Sequence, residues 1–326
     1  MNLYTQITEM FSRELELRGR TFVNYGALDE VEVKDMTIDD FPAKLFFNPA
    51  RVRSVMADVS PEALQKRACF LCPDGLEPLQ LTTVWDSPTG QTYFIRVNPF
   101  PIFNHHFTIS SSIHERQTFA PHMESMLHLA QAMPEMSIFY NGPMCGASAP
   151  DHMHFQAVPR HSMPIEDHFD TNYANAVLVQ EPDLQSHLAA LEKVLSMASI
   201  PENASQTGSL TAGASRTEEW EPRWNIISWY EPESSASVVS DLQGKARSTG
   251  AADLQPTGRS YNTIVFFRRE SRPQCFFAPE NERILFSPGT VEMAGIGIVA
   301  NRESFDRITP EILRSMIKEV ADKICV

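Results

Sequence analysis

The amino-acid sequence predicts an α+β fold, built on a largely antiparallel sheet with flanking helices. Two observations lead to this prediction. Short β-rich runs follow one another along the chain, and amphipathic helical patterns are interspersed among them irregularly. No short-period repeat is present. The 326 residues can bury a large core, as one big domain or as two fused halves.

The first 160 residues contain most of the predicted strands. Leu3, Ile7, Met10 and Phe11 recur at near-helical spacing and predict an N-terminal helix. The turn residues Asp86-Ser-Pro-Thr-Gly90 predict a hairpin. In chain order, we expect a helix over 3–18, irregular strands over 21–40, a strand from 44 that ends at Asn48-Pro49, strands over 79–85, 91–98 and 102–111, a helix over 119–133 closed by Pro134, and a strand over 137–140.

The remainder of the chain is richer in loops. Leu184, Leu188 and Leu191 predict an amphipathic helix, and Thr309 before Pro310 is a favourable start for the last helix. The full set of predictions is a helix over 183–198, strands over 223–230, 261–269, 274–278, 283–286 and 291–300, and a helix from 309 to about 324. The Ser/Ala/Gly/Thr-rich stretches 199–217 and 231–260 are expected to be long loops.

Charge and composition exclude several classes of partner. With 27 basic and 41 acidic side chains, the net charge is −14, which argues against a nucleic acid because phosphate backbones require a basic face. A small phosphorylated ligand is compatible with this negative net charge, because it needs only a few local hydrogen-bond donors. The N-terminus has no basic region followed by an apolar run, and no apolar stretch approaches 18 residues. We therefore expect a cytoplasmic protein that does not enter a membrane.

Cys69-Phe-Leu-Cys72 is a candidate metal site. In a chain without an export signal, such a pair indicates a metal or redox site more than a disulfide framework. A closed structural zinc site needs four ligands, which His106 and His152 can complete. Two alternatives remain: a pair of small buried hydrophobes near a turn, or a thioredoxin-like redox pair, which is disfavoured because no strand-to-helix crossover frames it.

The segment from Asn141 to Pro159 contains the strongest chemical signal. His152, His154 and Gln156 are spaced by two, so an extended segment places them on one face. A neutral imidazole at His154 is a good nucleophile toward phosphorus, and Gln156 offers N–H donors to a phosphate oxygen. The preceding turn, with Gly142, Gly146 and Ser148, can cradle phosphate with its backbone N–H groups.

At these residues the chain resembles a known superfamily. The run Gly146-Ala-Ser148-x-Pro150-x-His152-x-His154-x-Gln156 looks like the active-site motif of the transferase branch of the histidine-triad (HIT-like) superfamily. That branch holds galactose-1-phosphate uridylyltransferase, diadenosine tetraphosphate phosphorylase and the GDP-hexose phosphorylases. The resemblance covers about residues 45–160 well and 220–325 loosely, and Asn48-Pro-Ala-Arg51 is similar to a segment of an uncharacterised bacterial family of the branch.

The resemblance implies a HIT-like fold of two related halves, residues 1–180 and 181–326. Cys69, Cys72, His106 and His152 would bind a structural zinc ion, with His105 as the alternative to His106. His154 would be the nucleophile and Gln156 its phosphate-binding partner. The substrate-binding residues implied are Asn48, Arg51, Asn141, Gly146 and Ser148. Asp151 is one residue more than two of the related motifs carry and leaves the role of Ser148 open.

The expected function is a nucleotidyltransferase or phosphorylase acting at the α-phosphorus of a nucleotide sugar or dinucleoside polyphosphate. A nucleotidyl-histidine would form, and phosphate or a sugar phosphate would accept the nucleotidyl group. A dinucleoside polyphosphate hydrolase and a non-catalytic, zinc-stabilised nucleotide-binding protein are the alternatives. The sequence leaves the nucleobase, the sugar, the acceptor and the oligomeric state open.

Overall fold

A computed structural model describes residues 1–52, 56, 60–76, 79–198, 221–233 and 258–322. The predicted loops 199–217 and 231–260 lie outside the described residues except for their ends at 231–233 and 258–260. The strands are β1 (Glu32–Ile38), β2 (Phe41–Phe47), β3 (Thr83–Asp86), β4 (Thr92–Val97), β5 (Phe107–Ser111), β6 (Met136–Asn141), β7 (His154–Pro159), β8 (Ala176–Glu181), β9 (Trp224–Glu231), β10 (Ser260–Phe267) and β11 (Ile296–Val299).

Eight of these strands form one antiparallel sheet in the order β3-β4-β5-β7-β6-β9-β10-β8. A smaller sheet has the order β1-β2-β11, in which β11 runs parallel to β2. The predicted fold class is therefore confirmed: an α+β fold with a large antiparallel sheet and flanking helices. Strand β7, which begins at the second histidine of the His-x-His motif, lies in the interior of the large sheet.

Short and medium helices flank the sheets. Several begin with a side-chain cap, such as Asp183 accepting from the Ser186 N–H at 3.0 Å and Thr309 accepting from the Ile312 N–H at 3.3 Å. The α-helices are α1 (Leu3–Glu16), α2 (Arg20–Gly26), α3 (Pro61–Lys66), α4 (Met123–Ala132), α5 (Thr171–Ala174), α6 (Leu184–Leu195), α7 (Thr290–Met293), α8 (Arg302–Arg307) and α9 (Pro310–Val320).

Two hydrophobic cores cover the two faces of the large sheet. Phe155 and Ala157 of β7 pack in a core with α1, α4 and α6. Val158, which points to the opposite face, packs in a second core with β1, β2, β11 and α9. His154 and Gln156 share the face of Val158. The site side chains therefore lie between the large sheet and the layer formed mainly by the C-terminal elements.

Some predicted strands are wrong, and the reason is local. Residues 274–278 contain the 3-10 helix Gln274–Phe277, and 283–286 form no strand. There, Ile284 N–H donates to the Cys275 carbonyl and Leu285 N–H to the Ser304 hydroxyl, so the backbone is satisfied without a neighbouring strand. The run 291–300 divides into the short helix α7 and β11. The irregular strands expected over 21–40 are found only at β1, because residues 20–30 form helix α2 and a 3-10 helix. The sequence pattern does not predict strand β8.

The large sheet runs without interruption through strands from before and after residue 180, because β6 pairs with β9. The division into halves 1–180 and 181–326 stays a prediction. Among the described residues, no helix is long and apolar enough to span a membrane.

Candidate active site and metal-ligand cluster

Four potential metal ligands converge at one end of the large sheet. The ligand atoms of Cys69, Cys72, His114 and His152 all lie within 4.8 Å of one another. Nδ1 of His152 is 3.3 Å from Cys69 Sγ and 3.5 Å from Cys72 Sγ, and Nδ1 of His114 is 3.3 Å from Cys72 Sγ. Three segments that are distant in sequence thus meet: the Cys69–Cys72 turn, the chain after β5, and the chain before β7.

The structure corrects the expected ligand set at one position. His114, and not His106 or His105, completes the cluster. Both ring nitrogens of His106 are engaged elsewhere: Nδ1 accepts from the Ile102 N–H at 3.2 Å, and Nε2 lies 2.8 Å from Gln156 Oε1. His105 stacks on Phe11 with ring centroids 4.3 Å apart. His114 stands eight residues after His106 in the sequence, and spacing alone does not identify which of the two faces the cysteines.

The four side chains fit a tetrahedral cation. Two thiolates and two imidazoles at Zn–S and Zn–N distances of about 2.3 and 2.0 Å would be separated by roughly 3.3–3.8 Å, close to the observed contacts. Burial and the neighbouring Cys69 sulfur raise the pKa of the Cys72 thiol to about 11. Burial also opposes ionisation of Cys69, but the hydrogen bond with His152 lowers its pKa to about 6. A divalent cation would relieve the cost of holding both thiolates together, so the cluster could hold a metal ion.

Neighbouring groups orient the cluster. His152 Nε2–H donates to the Ser111 carbonyl at 2.9 Å, which leaves the Nδ1 lone pair facing the sulfurs. Asp151, the additional residue of the motif, accepts from Arg67 Nη2 at 2.5 Å, and thereby joins the residue before His152 to the chain just before Cys69. Buried Arg96 donates to the Leu71 carbonyl at 2.8 Å and to the Ser110 hydroxyl at 3.2 Å. The Cys-x-x-Cys turn is therefore held against β4, β5 and the start of β7.

His154, the first residue of β7, is fixed in one tautomer. Its Nδ1 lies 2.8 Å from the His152 carbonyl, which can only accept, so Nδ1 carries the proton and Nε2 carries a lone pair. Burial lowers the pKa of His154 to about 4, and the ring is therefore neutral near pH 7. No described residue hydrogen-bonds to Nε2. The imidazole is thus a held, uncharged ring with one free lone pair, the form that nucleophilic attack requires.

Gln117 braces the backbone around His154. This buried side chain accepts from the His154 N–H at 2.8 Å and donates to the carbonyls of His154 at 3.0 Å and Asn141 at 2.9 Å. The Gln117 amide therefore bridges the backbone at the end of β6 and the start of β7 by hydrogen bonds. The sequence does not predict this role for Gln117, since neither its spacing nor its neighbours along the chain offer a signal.

Gln156 lies two residues beyond His154 on the same face. Its Oε1 is 2.8 Å from His106 Nε2 and 3.4 Å from Asn98 Nδ2. It is half-buried, whereas His154, Phe155, Ala157 and Val158 are buried. The structure thus brings together the predicted His154 and Gln156, and adds His106 and Asn98 as neighbours of the glutamine.

Asn141 connects the candidate phosphate loop, which is the turn containing Gly142, Gly146 and Ser148, to Thr290 near the C-terminus. Its Oδ1 accepts from the Thr290 N–H at 2.7 Å, the Thr290 hydroxyl at 2.9 Å and Asn225 Nδ2 at 3.0 Å. Asn225 in turn donates to the Cys145 carbonyl at 2.7 Å and accepts from buried Arg268 at 2.6 Å. Asn225 and Thr290 are not identifiable from the sequence, because Asn141 is 84 and 149 residues away from them.

The other predicted substrate-binding residues have different surroundings. Gly146 has φ +95° and packs against Gly289. Ser148 is exposed, and no described residue hydrogen-bonds to its side chain. Asn48 is buried and accepts from the Ala50 N–H at 3.1 Å, so it acts as a local cap. Arg51 donates to the Phe100 carbonyl at 2.7 Å and carries its charge near His106 and Glu292.

A protein-family model matches the first half of the chain. A model described as a domain of unknown function (DUF4922) matches residues 10–159. The match covers the metal-ligand cluster, His154 and Gln156, and ends with the last residue of β7. No curated protein matches the chain.

Comparison with solved structures finds the same fold in a yeast enzyme. The crystal structure of yeast Ap4A phosphorylase Apa2 is similar at 13% identity, covering 98% of both chains with a TM-score of 0.57. The structure of the same enzyme in complex with Ap4A is similar at 14% identity, covering 95% of this chain and 97% of that one with a TM-score of 0.56. The chain therefore shares its fold with this phosphorylase over nearly the whole length of both.

Proposed function

We propose that this protein is a nucleotidyltransferase of the phosphorylase type, acting at the α-phosphorus of a dinucleoside polyphosphate or nucleotide sugar. The observation that carries the proposal is the state of His154: a buried, neutral imidazole, with Nδ1–H held by the His152 carbonyl and no described residue bonded to Nε2. The yeast protein with the same fold is an Ap4A phosphorylase crystallised with Ap4A, which favours a dinucleoside polyphosphate.

The proposed reaction has two displacements. His154 Nε2 forms a bond to the α-phosphorus while the P–O bond to the leaving group breaks, and the leaving group departs as a phosphate or nucleotide anion. An oxygen of the acceptor then attacks the same phosphorus, and the P–N bond breaks with its electron pair returning to Nε2. Inorganic phosphate as acceptor yields a nucleoside diphosphate, and a sugar phosphate yields a nucleotide sugar.

The residues around His154 have separate roles in the proposed reaction. The His152 carbonyl holds the Nδ1 proton of His154 and stabilises the ring as it becomes positive. Gln156 would donate to a non-bridging phosphate oxygen without offering a base that activates water. Cys69, Cys72, His114 and His152 would hold a zinc ion, whose contribution when bound is structural, because it fixes the segment that precedes His154.

Trapping the intermediate tests the proposal. Incubation with Ap4A or a nucleotide sugar labelled at the α-phosphorus should leave acid-labile, base-stable label on the wild-type protein and none on His154→Ala. Unlabelled phosphate should then release the label as nucleoside diphosphate. Equal labelling of the His154→Ala variant would overturn the assignment. Release by water alone would indicate a hydrolase, and binding of nucleotide without label a non-catalytic binding protein.

A further inference from the structure

His106, which the sequence predicts to be a zinc ligand, contacts Gln156 instead. It is fully buried, immediately before β5, and its backbone N–H and carbonyl both contact the Tyr25 hydroxyl, at 3.2 and 2.9 Å. Its ring is anchored by the Ile102 N–H, which donates to Nδ1 at 3.2 Å. An atom that accepts from a backbone N–H carries no proton, so the proton of the neutral ring lies on Nε2.

That proton points at Gln156. His106 Nε2–H donates to Gln156 at 2.8 Å, and Asn98 Nδ2 reaches the same atom at 3.4 Å. Asn98 is itself oriented, because its Oδ1 accepts from the Phe100 N–H at 2.9 Å. Two donors directed at one atom require that atom to be the amide oxygen. The NH2 group of Gln156 must then point away from His106.

Burial and the nearby Arg51 charge lower the pKa of His106 to about 3. Its ring is therefore uncharged throughout the neutral range, and the arrangement of donors around Gln156 does not change with pH there. The NH2 group of Gln156 lies on the same face of β7 as the lone pair of His154, and no described residue accepts from it. A donor held in this way can bind an anionic oxygen beside the nucleophile.

We propose that His106 is a positioning residue, which locks the Gln156 amide with its NH2 group facing the phosphate that His154 attacks. Asn98 assists as a second donor to the same oxygen. The inference rests on the proposed function, since it assigns the orientation of the phosphate-binding amide in that reaction. Orientation matters because a rotated amide would present its oxygen to an anionic phosphate and repel it.

A double-mutant cycle tests the positioning role. At saturating labelled nucleotide, Gln156→Ala should slow labelling of the histidine about 100-fold. His106→Leu fills the same space without a donor and should slow it about 10- to 100-fold, with the KM for nucleotide changing much less than the rate. His106→Gln, which can still donate from its amide nitrogen, should recover most of the rate. In the Gln156→Ala background, His106→Leu should have no further effect.

Two outcomes would overturn the inference: an equal effect of His106→Leu with and without Gln156, or wild-type labelling rates in His106→Leu. If the leucine variant fails to fold, the His106 tautomer can be read in the wild-type protein from long-range ¹H–¹⁵N spectra. A proton on Nδ1 there would also overturn it. An unlabelled wild-type protein would instead contradict the proposed function, and the tautomer measurement would still decide the arrangement of His106.

Discussion

At the scale of single residues, Gly146 shows how closely two segments approach at the candidate phosphate loop. A Cβ atom at this position would lie 2.7 Å from Gly289 Cα and 3.3 Å from the Pro288 carbonyl oxygen. Its φ of +95° is also a conformation that residues with side chains rarely adopt. Gly146 is therefore required for two reasons. Its backbone conformation disfavours residues with a side chain, and an added Cβ atom would clash with backbone atoms, which cannot move aside as a flexible side chain can.

Gly146→Ala should destabilise the protein by more than Gly90→Ala. Gly90 has a similar φ of +88° in the β3–β4 turn, but a Cβ atom added there would meet nothing within 4 Å. The control therefore isolates backbone strain, about 1–3 kcal/mol, and the difference reports the contact with Gly289. Urea unfolding of both variants measures the two costs. Equal free energies of unfolding for the two variants would show that the contact between residue 146 and Gly289 adds no destabilisation.

The histidines show where sequence reasoning is sufficient at this scale and where it is not. The spacing of His152, His154 and Gln156 predicts a shared strand segment, and the structure places His154 and Gln156 on one face of β7. The choice between His106 and His114 depends on which side chain reaches the Cys69–Cys72 turn. That turn is fixed by contacts such as Arg96 to the Leu71 carbonyl, 25 residues apart, which no local pattern records.

At the scale of elements, the metal-ligand cluster ties the start of β7 to the turn after α3 and to the chain after β5. The Cys69–Cys72 turn is not part of a strand. The chain before β7 is joined to the chain after β5 by backbone hydrogen bonds such as Met153 N–H to the Glu115 carbonyl at 2.7 Å. Four coordinate bonds would add to these contacts and would also hold the turn. We therefore expect the metal to stabilise the region around His154 more than the β8–β9–β10 side of the sheet.

Matched histidine variants test the ligand set. His114→Asn and Cys69→Ser should lose stoichiometric zinc, because each removes a ligand from a four-ligand site. His106→Gln should retain zinc, since its ring contacts Ile102 and Gln156 instead. Metal analysis of the purified proteins measures this directly. Loss of zinc in His106→Gln with retention in His114→Asn would restore the set expected from the sequence.

Prediction of the elements succeeds where a long periodic pattern meets a clear boundary. The helix expected over 183–198 is α6, with Asp183 as its cap, and the last helix begins after Thr309 as expected. Besides α2 and β8, the failures lie in short apolar runs between 274 and 300, where strand, 3-10 helix and irregular chain have similar patterns. In this region the structure depends on tertiary packing, because Ile284, Phe286 and Val291 are buried in the core on one face of the large sheet.

At the scale of the whole molecule, buried neutral histidines make folding sensitive to acid. His187 on α6 is fully buried, and its Nε2 lies 2.8 Å from the Thr263 hydroxyl of β10. No described residue hydrogen-bonds to its Nδ1. Burial lowers the pKa of His187 from 6.5 to about 4. Unfolded chains therefore bind a proton here between these values while the folded protein does not, and stability falls as the pH falls from about 6.5 to 4.

His187→Leu should remove this part of the pH dependence. The Thr263 hydroxyl keeps a partner, because it lies 2.7 Å from the Ser228 hydroxyl. The wild-type free energy of unfolding should fall relative to that of the variant by about 1.4 kcal/mol per pH unit, or about 3 kcal/mol over the window. Urea titrations at several pH values measure the difference. Exposed His168 provides the control variant, His168→Gln, which removes a histidine and leaves His187 in place. Parallel curves for wild type and His187→Leu would contradict the assignment.

The contact between Asn141 and Thr290 also sets an order of events during synthesis. The two residues are 149 positions apart, and the Thr290 N–H and hydroxyl both bind the Asn141 amide oxygen. A nascent chain that has emerged only through β7 already contains the four potential metal ligands, together with His154 and Gln156. It does not yet contain the group that holds Asn141. His154 is therefore translated long before the neighbouring Asn141 can be held by Thr290, and a ribosome-bound fragment lacks this contact until the C-terminal residues fold against the sheet.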